Sequence, residues 1–317
     1  MCLQFFLFIL FNNKAKAQNN MFPSEGSNDT LTGFQCDSIL EAVQGASLVD
    51  LGEAEHMKRE YYVIKTQLIK SLISEKGYTV LAFEGSINAF ERINNYINGN
   101  DTIDMKRFLY AANITNDSIL HNLYYTKEIY DLINWIRIYN SSHPKKVSIV
   151  GFDFPNPTLL IQDINNQLTV VAKKTNTIND SLNYFIDNLN KIDHTYKNFY
   201  QNYMTYPKVM ELFKQDSLIH PAKNSSEKVK EAKFLFKRKY SILNDSLINR
   251  LKVNLNALEA LSVIFVDPNG AIERDKNMYE NISYYRNLYN GEKIILWAHN
   301  GHLSERELII GNGASFY

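Results

Sequence analysis

Cysteine is nearly absent. Cys2 and Cys36 are the only two among 317 residues. No disulfide framework can therefore carry the fold, and an apolar core must do so. Long hydrophobic runs are missing too: no stretch approaches the about 20 apolar residues a transmembrane helix needs. Charge of one sign is not in excess, with Lys+Arg 34 against Asp+Glu 34. That balance gives no long-range attraction for nucleic acid or an anionic membrane. Glycine totals 13, and none lies between Thr158 and Ile264. Four catalytic signatures are also lacking: Gly-x-Ser-x-Gly, a phosphate loop, a dinucleotide fingerprint and a His-Glu-x-x-His helix. A covalent serine or cysteine mechanism has no obvious nucleophile here. What remains is histidine and carboxylate, which suit water activation and proton transfer.

The N-terminus has the pattern of an export signal. Leu3 to Phe11 is a short apolar run, and Ala15-Lys16-Ala17 supplies the small-x-small cleavage pattern. Residues 1–17 are the expected signal peptide, with Gln18 as the mature start, although no Lys or Arg precedes the apolar run. An exported, periplasmic or secreted location is expected if that signal is real, and a cytoplasmic one otherwise. Residues 18–33 are polar, with Pro, Gly, Ser and Asn, and are expected to be a linker.

What is present is an alternation. Ser47 to Leu51 has the pattern of a strand, followed by a helix pattern that starts near Met57. There Tyr61, Ile64, Leu68 and Leu72 recur at helical spacing, and Gly77 is placed to stop the helix. Thr79 to Phe83 is an apolar strand, as a buried parallel strand should be. Ser86 can cap a helix carried by Ile87, Phe90, Ile93 and Ile97, ending at Gly99. A helix from about Lys127 to Tyr139 and a strand over Val147 to Phe152 follow. The pattern predicts an α/β fold: a parallel sheet with helical crossovers. Residues 34–157 form its expected first part. Residues 158–265 show helical patterns only, at Leu159–Val171, Ser181–Phe199 and Ser226–Phe265, punctuated by Pro207 and Pro221. They predict a large all-helical insertion. Residues 266–317 return to the α/β domain with a helix at Met278–Tyr289 and a strand at Lys293–Trp297.

Polar groups gather where the apolar strands stop. The first is Leu51-Gly52-Glu53-Ala54-Glu55-His56. Phe83-Glu84-Gly85 and Trp297-Ala298-His299-Asn300-Gly301-His302 end strands in the same way. Open α/β sheets bind ligands beyond the carboxyl ends of their strands. His56 is the best candidate base, since an unperturbed imidazole (pKa about 6.5) offers a neutral form at working pH. Glu53 or Glu84 could orient it. His299 could polarise a carbonyl, and Arg59 or Arg274 could add positive charge. Two Glu side chains at one site repel, so one of them could hold a proton. The bland alternative is that Glu53 and Glu55 are only helix N-terminal charges favoured by the dipole. Four polar groups at the ends of apolar strands are hard to explain by packing alone. His121, His143, His194 and His220 have no acidic partner at motif spacing and are expected to be surface or structural residues.

These residues carry a resemblance. The first block, with Arg59-Glu60 after it, resembles the Gly-Glu-x-x-His-Gly-x-x-Glu block of the erythromycin esterase family. Phe83-Glu84 and Gly151-Phe152-Asp153 resemble its second and third acidic strand ends. Arg274-Asp275-x-x-Met278-x-x-Asn281 followed by Trp297-Ala298-His299-Asn300-x-His302 resembles its last block. The resemblance implies a bacterial carboxylic ester hydrolase, acting on a macrolide lactone or another small ester and tied to antibiotic resistance. It implies catalytic His56, Glu53, Glu84 and His299, with Arg59, Arg274 and His302 toward the substrate, and no metal or cofactor. Met57 stands where the family has Gly, and a bulkier side chain there narrows the approach to His56. Relatives continue past this point, so the C-terminal part of the domain is expected to be missing beyond Tyr317. Two other functions stay open. A zinc hydrolase could draw N and O ligands from Glu53, His56, Glu84, His299 and His302. A non-catalytic exported protein could bind haem or another small molecule. Neither nucleic acid nor stable membrane insertion is expected.

Overall fold

The structure is a computed structural model. It describes residues 3–5, 37–56, 58–114, 121–153, 157–175, 187, 189–195, 216–240, 246–264, 270–303, 308–310 and 314–316. The expected signal peptide (apart from Leu3–Phe5), the linker, Cys36, Met57 and most of the predicted helix at Ser181–Phe199 lie outside the described residues. The chain divides into two compact units, Met1–Phe152 with Tyr285–Tyr317, and Asp153–Tyr284.

The first unit is built on a five-stranded sheet in the order β1-β2-β5-β3-β4. Its strands are β1 (Leu3–Phe5), β2 (Leu48–Glu53), β3 (Tyr78–Ser86), β4 (Ser148–Asp153) and β5 (Lys293–His299). β1 with β2, β2 with β5, and β5 with β3 all pair in parallel. The predicted α/β class with a parallel sheet is what the structure shows. The last strand of the sheet, β5, inserts between the two earliest long ones. It therefore brings the His299 loop alongside the ends of both β2 and β3.

Local chemistry accounts for the boundaries. Helix α1 spans Asp37–Ala42, and α2 spans Arg59–Lys76. Gly77 closes α2 in the left-handed conformation at φ 70°, and its N–H reaches the Leu72 carbonyl. Ser86 caps α3 (Ile87–Ile97) through its side chain, which accepts from the Ala89 N–H at 3.4 Å. Two short helices that the sequence pattern did not reveal follow, α4 (Met105–Ile114) and α5 (His121–Tyr124). Thr126 caps α6 (Lys127–Ser142). α2, α3 and α6 cover the sheet with Leu68, Ile69, Leu72, Phe90, Ile93, Leu132, Ile133 and Ile136, all buried. Each such side chain contributes about 1.5–3 kcal/mol when it leaves water.

The second unit is helical: α7 (Pro157–Thr175), α8 (Asp216–Tyr240), α9 (Ser246–Ile264) and most of α10 (Gly270–Leu288). Residues 189–195 are also helical. Leu160, Ile164, Leu168, Leu251, Leu255 and Leu258 form its own buried apolar set. The predicted single helical pattern at Ser226–Phe265 is two helices here, and α8 starts well before Ser226. Pro221 lies inside α8 rather than at its border. It stands in the second turn, where its missing N–H removes one intrahelical bond. In the first unit a final short helix, α11 (Asn300–Leu303), follows β5, and β6 (Leu308–Ile310) and β7 (Ala314–Phe316) pair antiparallel. Among the described residues no helix is long and apolar enough to cross a membrane.

Candidate active site

Three adjacent strands end together. Glu53, the last residue of β2, lies in register with His299, the last residue of β5, and Phe83 of β3 is in register with Trp297. Strand alternation points Leu51 and Glu53 to one face, and the register puts Trp297 and His299 beside them. Gly52, on the other face, is required by the start of α11. A Cβ there would sit 2.0 Å from Asn300 Oδ1.

Glu53 is the hub. Its side chain is buried, and both oxygens accept. His56 Nδ1 lies 2.7 Å from Oε1, while Lys65 Nζ donates to Oε2 at 2.8 Å and Trp297 Nε1–H donates to Oε2 at 3.0 Å. Burial alone would push the Glu53 carboxyl up. The His56 hydrogen bond and the Lys65 charge outweigh it and hold the group below the usual carboxylate range. Glu53 is therefore ionised and accepts only. His56 Nδ1 must be the donor, which leaves the Nε2 lone pair for chemistry. The His56 side chain is 36% exposed, so solvent reaches it.

Lys65 sits in the buried stripe of α2, with its ammonium 4.7 Å from the centre of the Trp297 ring. Burial pushes it down to about 8, against the opposing pull of Glu53 and Glu84. Below Lys65 and Glu53, Tyr62, Phe83, Tyr124 and Trp297 pack as an aromatic floor with centroid spacings of 5.2–6.4 Å.

Glu84, near the end of β3, is also buried. Its Oε2 accepts the His299 backbone N–H at 2.7 Å, and its Oε1 lies 3.3 Å from His302 Nε2. Glu84 thus fixes the turn that carries both later histidines. The His299 ring lies 4.9 Å from the His56 ring. Its Nδ1 accepts from the Gly301 N–H at 3.1 Å, so its proton is on Nε2, which faces the Ala54 carbonyl at 3.2 Å. Burial, then the neighbouring His56, lowers the His299 imidazole below its ordinary value. His299 is a neutral ring with both nitrogens engaged by backbone.

The other proposed residues are placed as follows. Arg59, at the start of α2, donates from Nε to Glu128 Oε1 of α6 at 3.0 Å. Arg274 lies in the second unit, where its guanidinium grips buried Asp153 with two bonds of 2.9 and 2.6 Å. The structure thus joins Glu53, His56, Glu84, His299 and His302 in the first unit, while Arg274 belongs to the second. His143, His194 and His220 are exposed. Among the described residues no group of three or more His, Cys, Asp or Glu is arranged to hold a metal ion. In the sequence, Lys65 and Trp297 went unrecognised as parts of the site. Lys65 had a readable signal, a lone cation on an otherwise apolar helical stripe. Trp297 had none, because a tryptophan in an apolar strand looks like core.

Comparison with known proteins places the fold and the family of the chain. The chain is 27% identical over 146 residues to erythromycin esterase type II of Escherichia coli, covering 46% of this chain and 32% of that protein. It is 26% identical over 290 residues to a Bacillus subtilis protein named as a hydrolase, covering 84% of this chain and 58% of that one. The chain thus spans between about a third and three-fifths of the length of these relatives. Among solved structures, a Bacillus cereus protein superposes with a TM-score of 0.61 at 24% identity, covering 85% of this chain and 61% of that one. An erythromycin esterase mutant in its open conformation superposes with a TM-score of 0.65 at 17% identity, covering 90% of this chain and 69% of that one. The erythromycin esterase family profile matches residues 73–312. That span starts beyond Glu53, His56 and Lys65, which lie outside it, while Glu84, Trp297, His299 and His302 fall within the match. With more than half of its residues inside this match, the chain belongs to the erythromycin esterase family.

Proposed function

We propose that this chain hydrolyses a carboxylic ester or lactone of a small molecule, with His56 as general base on water. The observation that carries the reading is the 2.7 Å contact between His56 Nδ1 and a Glu53 carboxylate that Lys65 and Trp297 also hold. That contact fixes the ring orientation and the tautomer, as the carboxylate does in other acid–histidine pairs. A water proton moves to His56 Nε2 as the water oxygen attacks the ester carbonyl carbon. The imidazolium, stabilised by Glu53, then gives that proton to the leaving alkoxide as the carbon–oxygen bond breaks. The products are an acid and an alcohol, or one hydroxy acid from a lactone. His299 and Glu84 hold the wall of the site opposite His56. Support comes from family membership and from relatives named as hydrolases and esterases.

The test is hydrolysis of p-nitrophenyl acetate and of erythromycin by the full chain, beside His56→Ala. A positioned general base is worth roughly 10²–10⁴ in rate, and the variant is expected to lose that much. Equal rates in the two proteins would overturn the assignment.

A further inference from the structure

We infer that Lys65 and Trp297 are positioning residues for His56 that act through Glu53: they anchor and neutralise its carboxylate, so that it orients the imidazole without trapping a proton on it. The inference rests on His56 being the base. The ammonium of Lys65 is buried on a helix face whose neighbours Ile64, Leu68 and Ile69 are core. Burying a charge is costly unless it is paired, so packing of α2 alone gives no reason for a lysine there. Its nitrogen meets Glu53 Oε2 at 2.8 Å and the face of the Trp297 ring. Oε2 takes a second donor from the indole, which leaves Oε1 for His56.

The charges explain why a cation is needed. A buried carboxylate facing an imidazole draws a proton onto that imidazole. An imidazolium cannot accept a proton from water. With Lys65 charged, Glu53 is already balanced and His56 can stay neutral. The other groups facing this cluster come from β3, β5 and α11. Glu84 lies within the field of Lys65, with His302 and the His299 N–H on its oxygens, and the neutral His299 ring lies against His56. Lys65 thus serves two carboxylates at once, which resolves the repulsion that two Glu side chains at one site would create.

The experiment uses the full chain with Lys65→Met, Lys65→Arg and Trp297→Phe. The His56 ring is followed by NMR across pH, and kcat/KM for p-nitrophenyl acetate is measured over the same range. Lys65→Met is expected to keep the His56 ring protonated to a higher pH than in the parent, because a neighbouring cation has been removed. The acid limb of its rate profile should move up with it, lowering the rate on that limb by up to about tenfold per unit of displacement. Lys65→Arg restores the charge and is expected to return the acid limb to its original place. Trp297→Phe is expected to lower kcat by about tenfold with KM unchanged, the worth of one hydrogen bond to a charged group. If Lys65→Met does not fold, Trp297→Phe carries the NMR arm, with a smaller shift in the same direction. An unmoved His56 titration in a folded variant overturns the inference and leaves Lys65 a structural ion pair. An unchanged chain that hydrolyses no ester would instead sink the catalytic reading, while the NMR arm still decides the role of Lys65.

Discussion

Two buried acids on β2 show how partners decide the fate of a carboxyl group. Glu53 meets three donors and is held ionised. Asp50, on the opposite face of the strand, has a buried Oδ1 with no partner, and burial pushes its carboxyl up to about 6 from 3.8. Its folded pKa is above its unfolded one, so the folded state binds the proton more tightly. The stability this gives is full below about pH 4 and is lost as pH rises through 6. Asp50→Asn is therefore expected to remove that fall and to gain on the order of 3 kcal/mol at pH 7, since each pKa unit is worth about 1.4 kcal/mol. Thermal melts from pH 4 to 8 check this, and parallel curves for the two proteins would count against it. The sequence carried the signs of both Asp50 and Lys65, each a charge set into an apolar period. It could not tell which charge was matched, because the match depends on how α2 packs back against the end of β2. In the second unit the logic is simpler. Arg274→Ala strands buried Asp153 and is expected to cost about 3–5 kcal/mol, read as a lower urea midpoint.

Glycines at the strand ends mark where elements approach too closely for a side chain. A Cβ on Gly151 would lie 2.5 Å from the backbone carbonyls of Gly85 and Ser86, so β4 would be forced off β3. Backbone cannot rotate away, and Gly151→Ala is expected to destabilise by about 1–3 kcal/mol or more, as overpacking does. A Cβ on Gly52 instead meets side chains of α11, Asn300 Oδ1 at 2.0 Å and Leu303 Cδ1 at 3.6 Å, and no backbone. Gly52→Ala is expected to lose ester hydrolysis through a displaced α11 while its melting temperature stays near that of the parent. Equal thermal losses in the two variants would refute this contrast. Helices and strands with capping residues or clear periodicity were legible: α2 with its Gly77 stop, α3 with its Ser86 cap, and β3. The insertion of β5 between β2 and β3 was not, since strand order depends on long-range pairing and leaves no local pattern. The break between α8 and α9 also escaped, because one apolar period runs through both.

At the scale of the whole molecule, the helical insertion was readable from the loss of glycine and of strand patterns after Thr158. Its junction with the sheet was not. Asp153 and Arg274, which resembled one more edge of the site, pair within the second unit. Each unit buries its own apolar set, so they are expected to unfold in separate steps. Urea titrations followed by tryptophan emission and by far-UV circular dichroism should give non-coincident transitions. One shared midpoint would show a single cooperative fold. The expected signal at residues 1–17, if it is used, also makes a whole-chain prediction. Mass spectrometry of the secreted protein should find Gln18 at its start, and a chain retaining Leu3–Phe5 as β1 would contradict it.

Both tryptophans of the chain, Trp135 and Trp297, fall in the first unit. Trp297 touches Glu53 through its N–H and Lys65 through its ring face. The protein therefore contains its own optical electrode. When Lys65 gives up its proton near pH 8, a unit charge leaves the face of one indole, and the emission maximum should step there. Lys65→Met should flatten that step, so a fluorimeter can read the ionisation of the site with no substrate in the cuvette.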